Sequence, residues 1–169
     1  MVNVYRGDLI ESIHQGDITV VSDKGDIIYE FGDSNKITYW RSAAKPVQAL
    51  PVITSGAAEK YNLSDREIAV MCASHSGQDM HVEVVESILN KIGLDQSALR
   101  CGTHPPVHKE TAKRLCEAGE KAPAIRNNCS GKHAGMLTLC QYYGWSRENY
   151  EKLEQIGRAS CRERVYTKV

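Results

Sequence analysis

Apolar and polar residues alternate, or gather as β-branched runs, over residues 2–10, 12–21 and 27–31, and Asp23-Lys24-Gly25-Asp26 between the last two has hairpin-turn chemistry. This opening predicts three antiparallel strands. After Trp40 the period lengthens to that of helices. A helix is expected over 42–55, kinked or ended by Pro51, with Pro46 close enough to its start to be tolerated. Ser64-Asp65-Arg66-Glu67 reads as a capping box that opens a helix ending near Cys72. The clearest helical stripe spans 79–92, where Val84, Val85, Ile88, Leu89 and Ile92 form one face and Gly93 is the stop. A shorter helix over 109–118 turns Leu115 and Cys116 inward and closes at Gly119. Another runs over 131–143 to Gly144, with Met136, Leu137, Leu139 and Cys140 as its apolar surface, and Ser146 caps a final helix. Strands followed by helices describe an α+β domain with helices on one face of an antiparallel sheet.

Composition narrows the function classes. The chain has 169 residues, enough for one domain, and 21 basic residues balance 21 acidic ones. That balance argues against a nucleic-acid or membrane-surface partner. No apolar run is long enough to span a bilayer, and the first residues lack a signal peptide's apolar core, so a cytoplasmic protein is expected. The six cysteines then read as reduced thiols, with Cys72, Cys101, Cys116 and Cys140 in core or near-surface positions. His14, His81, His104 and His108 read as surface or core residues rather than metal ligands.

Three short segments carry candidate chemistry. In Asn127-Asn128-Cys129-Ser130-Gly131-Lys132-His133-Ala134-Gly135, the spacing of three and four residues puts Cys129, Lys132 and His133 on one helical face. They could meet at a metal, where thiolate and imidazole are ordinary zinc ligands and lysine an unusual one, or the glycine-flanked helix start could meet an anion. The structural alternative is a helix start capped by Asn128 or Ser130, with Cys129 buried as a small hydrophobe. In Arg41-Ser42-Ala43-Ala44-Lys45-Pro46, a serine three residues before a lysine would let a neutral amine take the Ser42 proton; the alternative is a capped helix with Lys45 in solvent. In Cys72-Ala73-Ser74-His75-Ser76-Gly77, a small hydroxyl-rich loop after an apolar run could present Ser74 and His75 to a cleft, or simply end a helix.

In this order and at these separations the three segments resemble the asparaginase II family, the thermolabile, rhizobial-type L-asparaginases, and Cys101-Gly102-Thr103-His104-Pro105-Pro106 is also similar to its pattern. The resemblance implies a fold like that of serine β-lactamases and penicillin-binding proteins, and hydrolysis of L-asparagine to L-aspartate and ammonia. It implies catalytic roles for Ser42, Lys45 and Ser74: Ser42 as nucleophile activated by Lys45, with Ser74 as relay or alternative nucleophile. It also implies a zinc site at Cys129 and Lys132, with His133 less favoured, and a homodimer for the full-length protein.

Members of the family run longer, and the chain lacks positions matching a later lysine that pairs with the second serine and a further zinc-binding cysteine. Residues 1–155 are therefore expected to be the N-terminal part of one domain with an incomplete sheet. Residues 156–169 look like a translated cloning or adaptor sequence. Another Ser-x-x-Lys amidohydrolase, such as a glutaminase or β-lactamase-like enzyme, and a non-catalytic fragment are the competing readings.

Overall fold

The computed structural model describes residues 2–152, which form an α+β chain of two compact units, residues 2–39 and 40–152. The first unit contains four strands, not three: β1 (Val2–Arg6), β2 (Leu9–His14), β3 (Ile18–Val21) and β4 (Ile27–Phe31). They pair as two separate antiparallel hairpins, β1 with β2 and β3 with β4. The long run expected over 2–10 breaks because Gly7 adopts φ 61° in a two-residue loop that brings Arg6 opposite Leu9. The second turn is the expected one. Gly25 has φ 89°, and the Ser22 hydroxyl accepts from the backbone N–H groups of Lys24 (3.2 Å) and Asp26 (3.0 Å). Apolar side chains on these strands, including Val4, Ile10, Ile13, Val20, Ile27 and Phe31, are exposed.

The second unit is helical. A 3-10 turn over Arg41–Ala44 leads into α1 (Lys45–Thr54), so the expected single helix begins as two kinds of turn. Pro46 lies in the first helical turn, and Pro51 is carried inside α1 without ending it. A one-turn α2 (Ala57–Lys60) follows Gly56. The capping box opens α3 (Asp65–Met71) with both of its bonds: the Ser64 hydroxyl accepts from Glu67 N–H and the Glu67 carboxylate from Ser64 N–H. Glu67 is almost fully buried, because its carboxylate also accepts from Ser87 Oγ and Lys91 Nζ, each at 2.7 Å.

Helices α4 (Asp79–Lys91), α5 (Lys109–Glu117) and α6 (Ser130–Tyr143) fall within a residue of their expected bounds. Cys116 is a correction. Thr111 and Leu115, four apart, form the buried face of α5, and the next residue turns to solvent. The helix expected from Ser146 is a turn as far as residue 152. The expected non-native segment 156–169 lies outside the described residues.

Helix α6 is buried on nearly all sides, against α1, α2, α3 and α4. Val52, Met71, Val85, Ile88, Leu89, Ala134 and Leu137 fill the core around it. Burial of each leucine or isoleucine stabilises this packing by about 1.5–3 kcal/mol. Two glycines make the approach possible. A Cβ on Gly131 would lie 2.3 Å from the Val70 carbonyl oxygen, and one on Gly135 would lie 3.1 Å from Met71 Sδ. Among the described residues no helix is long and apolar enough to cross a membrane.

Candidate active site

Helix α1 starts at Lys45, and the lysine side chain runs to the loop between α3 and α4. Lys45 is 3 % exposed. Its ammonium donates to Ser74 Oγ (2.7 Å), to the Ala73 carbonyl (3.0 Å) and to the Asn128 carbonyl (3.4 Å). The Ser74 hydroxyl, accepting from Lys45, donates in turn to Ser42 Oγ at 3.0 Å. Both serines are exposed and the lysine is not. The three sequence candidates therefore meet, but in a different order from the one spacing suggested. Ser42 reaches the amine through Ser74, because the long lysine stem carries Nζ past the 3-10 turn to the level of the next loop.

Ser42 follows an unusual residue. Arg41 has φ 51°, in the left-handed region that a residue with a Cβ seldom enters. Such strain costs on the order of 1–3 kcal/mol and persists where the surroundings over-determine it.

Two loops brace this hydrogen-bonded chain. Asn127, 5 % exposed, donates from Nδ2 to the carbonyls of Cys101 (2.9 Å) and Gly102 (3.2 Å), and its Oδ1 accepts from Cys129 N–H (2.8 Å). His104 Nε2 lies 3.2 Å from Asn128 Oδ1. The segment before α6 is thus held by Asn127 and His104, neither of which sequence reasoning singled out. Their only signal was their place inside the matched segments. The expected caps also change: Cys129 occupies the N-cap position without a side-chain bond, and Ser130 is buried beneath His75.

Of the metal candidates, His133 has a partner within the fold. His133 is buried, with Nδ1 2.8 Å from the Tyr150 hydroxyl, which already accepts from Arg100 N–H at 2.9 Å. The tyrosine proton is free to point at Nδ1, and burial, reinforced by the Lys132 charge, pulls the imidazole pKa down to about 4. Its neutral ring serves the core. Cys129 and Lys132 are half-buried. Nearby, burial pushes the Cys101 thiol up to about 11, with Cys129 adding to the rise and Lys132 opposing it, and Cys101 Sγ donates to the Ala124 carbonyl at 3.3 Å. Among the described residues no three His, Cys, Asp or Glu side chains group to hold a metal. Cys129 and Lys132 supply at most two of the four donors of a closed zinc site, so the residues described do not by themselves fit the ion.

An open cleft of about 520 Å³ borders Ser74, lined also by Arg66, His75, Ser76, Gln78 and His81. Two hydroxyls in line with a buried amine, beside an open cleft whose walls also include Val70, Met80 and Val84, are groups of the kind that activate a serine. Comparison with known families narrows the class. The family model for L-asparaginase II matches residues 2–167, and the chain belongs to that family. Membership makes it an amidohydrolase by lineage. No curated protein matches the chain.

Proposed function

We propose that the chain hydrolyses the side-chain amide of L-asparagine, with Ser42 as nucleophile, Ser74 as relay and Lys45 as proton acceptor. The reading rests on the family match and on one observation above all, the unbroken Ser42–Ser74–Lys45 hydrogen-bonded chain. In the reacting form Lys45 is neutral, keeps its two carbonyl acceptors and turns its lone pair to Ser74, so the hydroxyl chain reverses and Ser42 donates to Ser74. Ser42 Oγ then forms a bond to the amide carbon as its proton moves to Ser74 Oγ and the Ser74 proton moves to Lys45 Nζ. On collapse of the tetrahedral intermediate the C–N bond breaks, and the proton held on Lys45 passes through Ser74 to the departing nitrogen, which leaves as ammonia. Water then attacks the ester, giving up its proton to the relay, and aspartate leaves as Ser42 recovers its own.

Exposure of both serines suits attack on a small ligand from solvent, and burial of Lys45 keeps the amine away from bulk water. Cys129 and Lys132 are proposed as two donors of a zinc site that is complete only with further ligands. The relay consists of the chain's own side chains and no step passes through a metal.

The test is ammonia release from L-asparagine by the whole chain, with L-glutamine and a β-lactam as competing substrates. Ser42→Ala and Lys45→Met should each abolish release. Full asparagine hydrolysis by Ser42→Ala would refute the nucleophile assignment, and preference for the β-lactam would refute the substrate.

A further inference from the structure

The residue after Ser74 engages both of its ring nitrogens, and the proposed relay makes no use of it. His75 is 4 % exposed although both of its sequence neighbours are more open. Adjacent residues point in different directions, so Ser74 is open to solvent while His75 is buried at the wall of the cleft. Its Nε2 lies 2.8 Å from Ser130 Oγ. That hydroxyl donates to the Ile125 carbonyl at 2.8 Å, so toward His75 it accepts and Nε2 carries the proton. Nδ1 accepts from Gly77 N–H at 3.2 Å. Both ring nitrogens are therefore used in one neutral tautomer. Burial, with the nearby His81, Lys45 and His104, holds the ring in that form by lowering its pKa to about 4.

The backbone of the same residue completes the brace. His75 N–H donates to the Asn128 carbonyl at 3.2 Å, the oxygen that also receives Lys45 Nζ at 3.4 Å. The far end of the loop is equally fixed. Gly77 has φ 77°, and a Cβ there would lie 2.6 Å from the Arg126 carbonyl oxygen. The His75 ring also stacks on His81, centroids 5.0 Å apart.

We propose that His75 is a positioning residue for this site: by tying the Ser74 loop to the first turn of α6 through Ser130, it sets the Ser42–Ser74–Lys45 register. The inference rests on the relay reading above. A reacting group displaced by 1 Å loses on the order of 100-fold in rate, so the expected consequence is on the chemical step rather than on binding.

The test uses the whole chain and a fluorophosphonate reagent. Ser42 Oγ forms a bond to phosphorus, fluoride leaves, and the serine proton passes through Ser74 to Lys45. Peptide mass mapping locates the label, and rates over a range of reagent concentrations separate the limiting rate from the half-saturating concentration. Wild type should label at Ser42. His75→Leu should lower the limiting rate by about 10–100-fold with half-saturation within about two-fold. His75→Gln, which keeps an N–H within reach of Ser130, should recover most of the rate. Ser130→Ala should slow labelling as His75→Leu does, and the double variant should be no slower than either single one.

An unchanged limiting rate in His75→Leu, no recovery in His75→Gln, or a loss confined to half-saturation would overturn the inference while leaving the relay standing. If His75→Leu does not fold, Ser130→Ala and His75→Gln decide: wild-type labelling by Ser130→Ala overturns it. A wild type that takes no label at Ser42 refutes the relay itself, and the positioning role falls with it.

Discussion

Gly131→Ala offers a sharp test of the packing because two effects of known size oppose each other. Helix propensity favours alanine over glycine by at most about 1 kcal/mol, and less in a first turn, where Gly131 sits. Sterics act the other way. The new Cβ would stand 2.3 Å from the Val70 carbonyl oxygen, 2.8 Å from its carbonyl carbon and 3.2 Å from Val70 Cγ2. Two of these atoms are backbone, so relief requires α3 and α6 to part rather than a side chain to rotate. Overpacking of this kind costs about 1–3 kcal/mol, and a backbone clash belongs at the upper end.

The net expectation is a loss of about 1–2 kcal/mol, or a fall of roughly 2–8 °C in melting temperature for a chain of this size. Gly135→Ala is the internal control. Its Cβ would meet Met71 Sδ at 3.1 Å and Cγ at 3.3 Å, atoms of a flexible thioether, and the position is mid-helix, so stability should stay near wild type. Thermal and urea unfolding of both variants are the assays. A Gly131→Ala protein that melts at or above wild type, or two variants that behave alike, would refute the close-approach argument. Because α3 leads into the Ser74 loop and α6 follows Asn128, Gly131→Ala should also slow Ser42 labelling more than Gly135→Ala does.

Other consequences are more direct. Tyr150→Phe removes the acceptor for Arg100 N–H and the partner of His133 Nδ1 in a buried position, and should cost about 1–3 kcal/mol, read as a lower urea midpoint at constant slope. An unchanged midpoint would contradict it. His75 and His133 titrate near 4 in the fold against 6.5 for a free imidazole, so between those values the unfolded chain binds more protons and stability must fall as pH falls. From pH 7 to pH 5 each should remove about 2 kcal/mol, and a stability flat over that window would show that neither ring is held neutral. For the zinc proposal, metal content after dialysis against zinc should drop in Cys129→Ser, and retention of stoichiometric metal by that variant would count against Cys129 as a donor.

Local features of this fold were legible in the sequence where a short-range rule governs them. The capping box at Ser64 and Glu67 and the turn at Gly25 are examples, since both are settled by residues within four positions of each other. The stripe on α4 was equally plain because only one of its faces is buried. Helix α6 was harder to place in the fold. Buried on nearly all sides, it has no broad polar face to betray its orientation, and its composition reads the same whether it lies at the edge or at the centre. The missed loop at Gly7 has another cause: the apolar run continues on both sides of a two-residue turn, and strand-like composition outweighed a single glycine.

The candidate site was legible as chemistry and illegible as geometry. Ser42 and Lys45 are three residues apart, and spacing alone pairs them; what separates them is Ser74, 29 positions beyond the lysine in sequence. The distance that matters is set by neither motif. It depends on how closely α6 approaches α3, because Asn128 precedes one helix, Ser74 follows the other, and the Lys45 amine bonds to both segments. Gly131, which carries no functional group, permits that approach, and His75, which touches no substrate in the proposed mechanism, fixes the loop once the approach is made. A reactive group can be recognised from its own side chain, but its register is held by residues chosen for their absence of bulk or their exact complement of hydrogen bonds. In this chain those residues sit within the same matched segments as the chemistry, so the segments encode the proposed relay and its frame together.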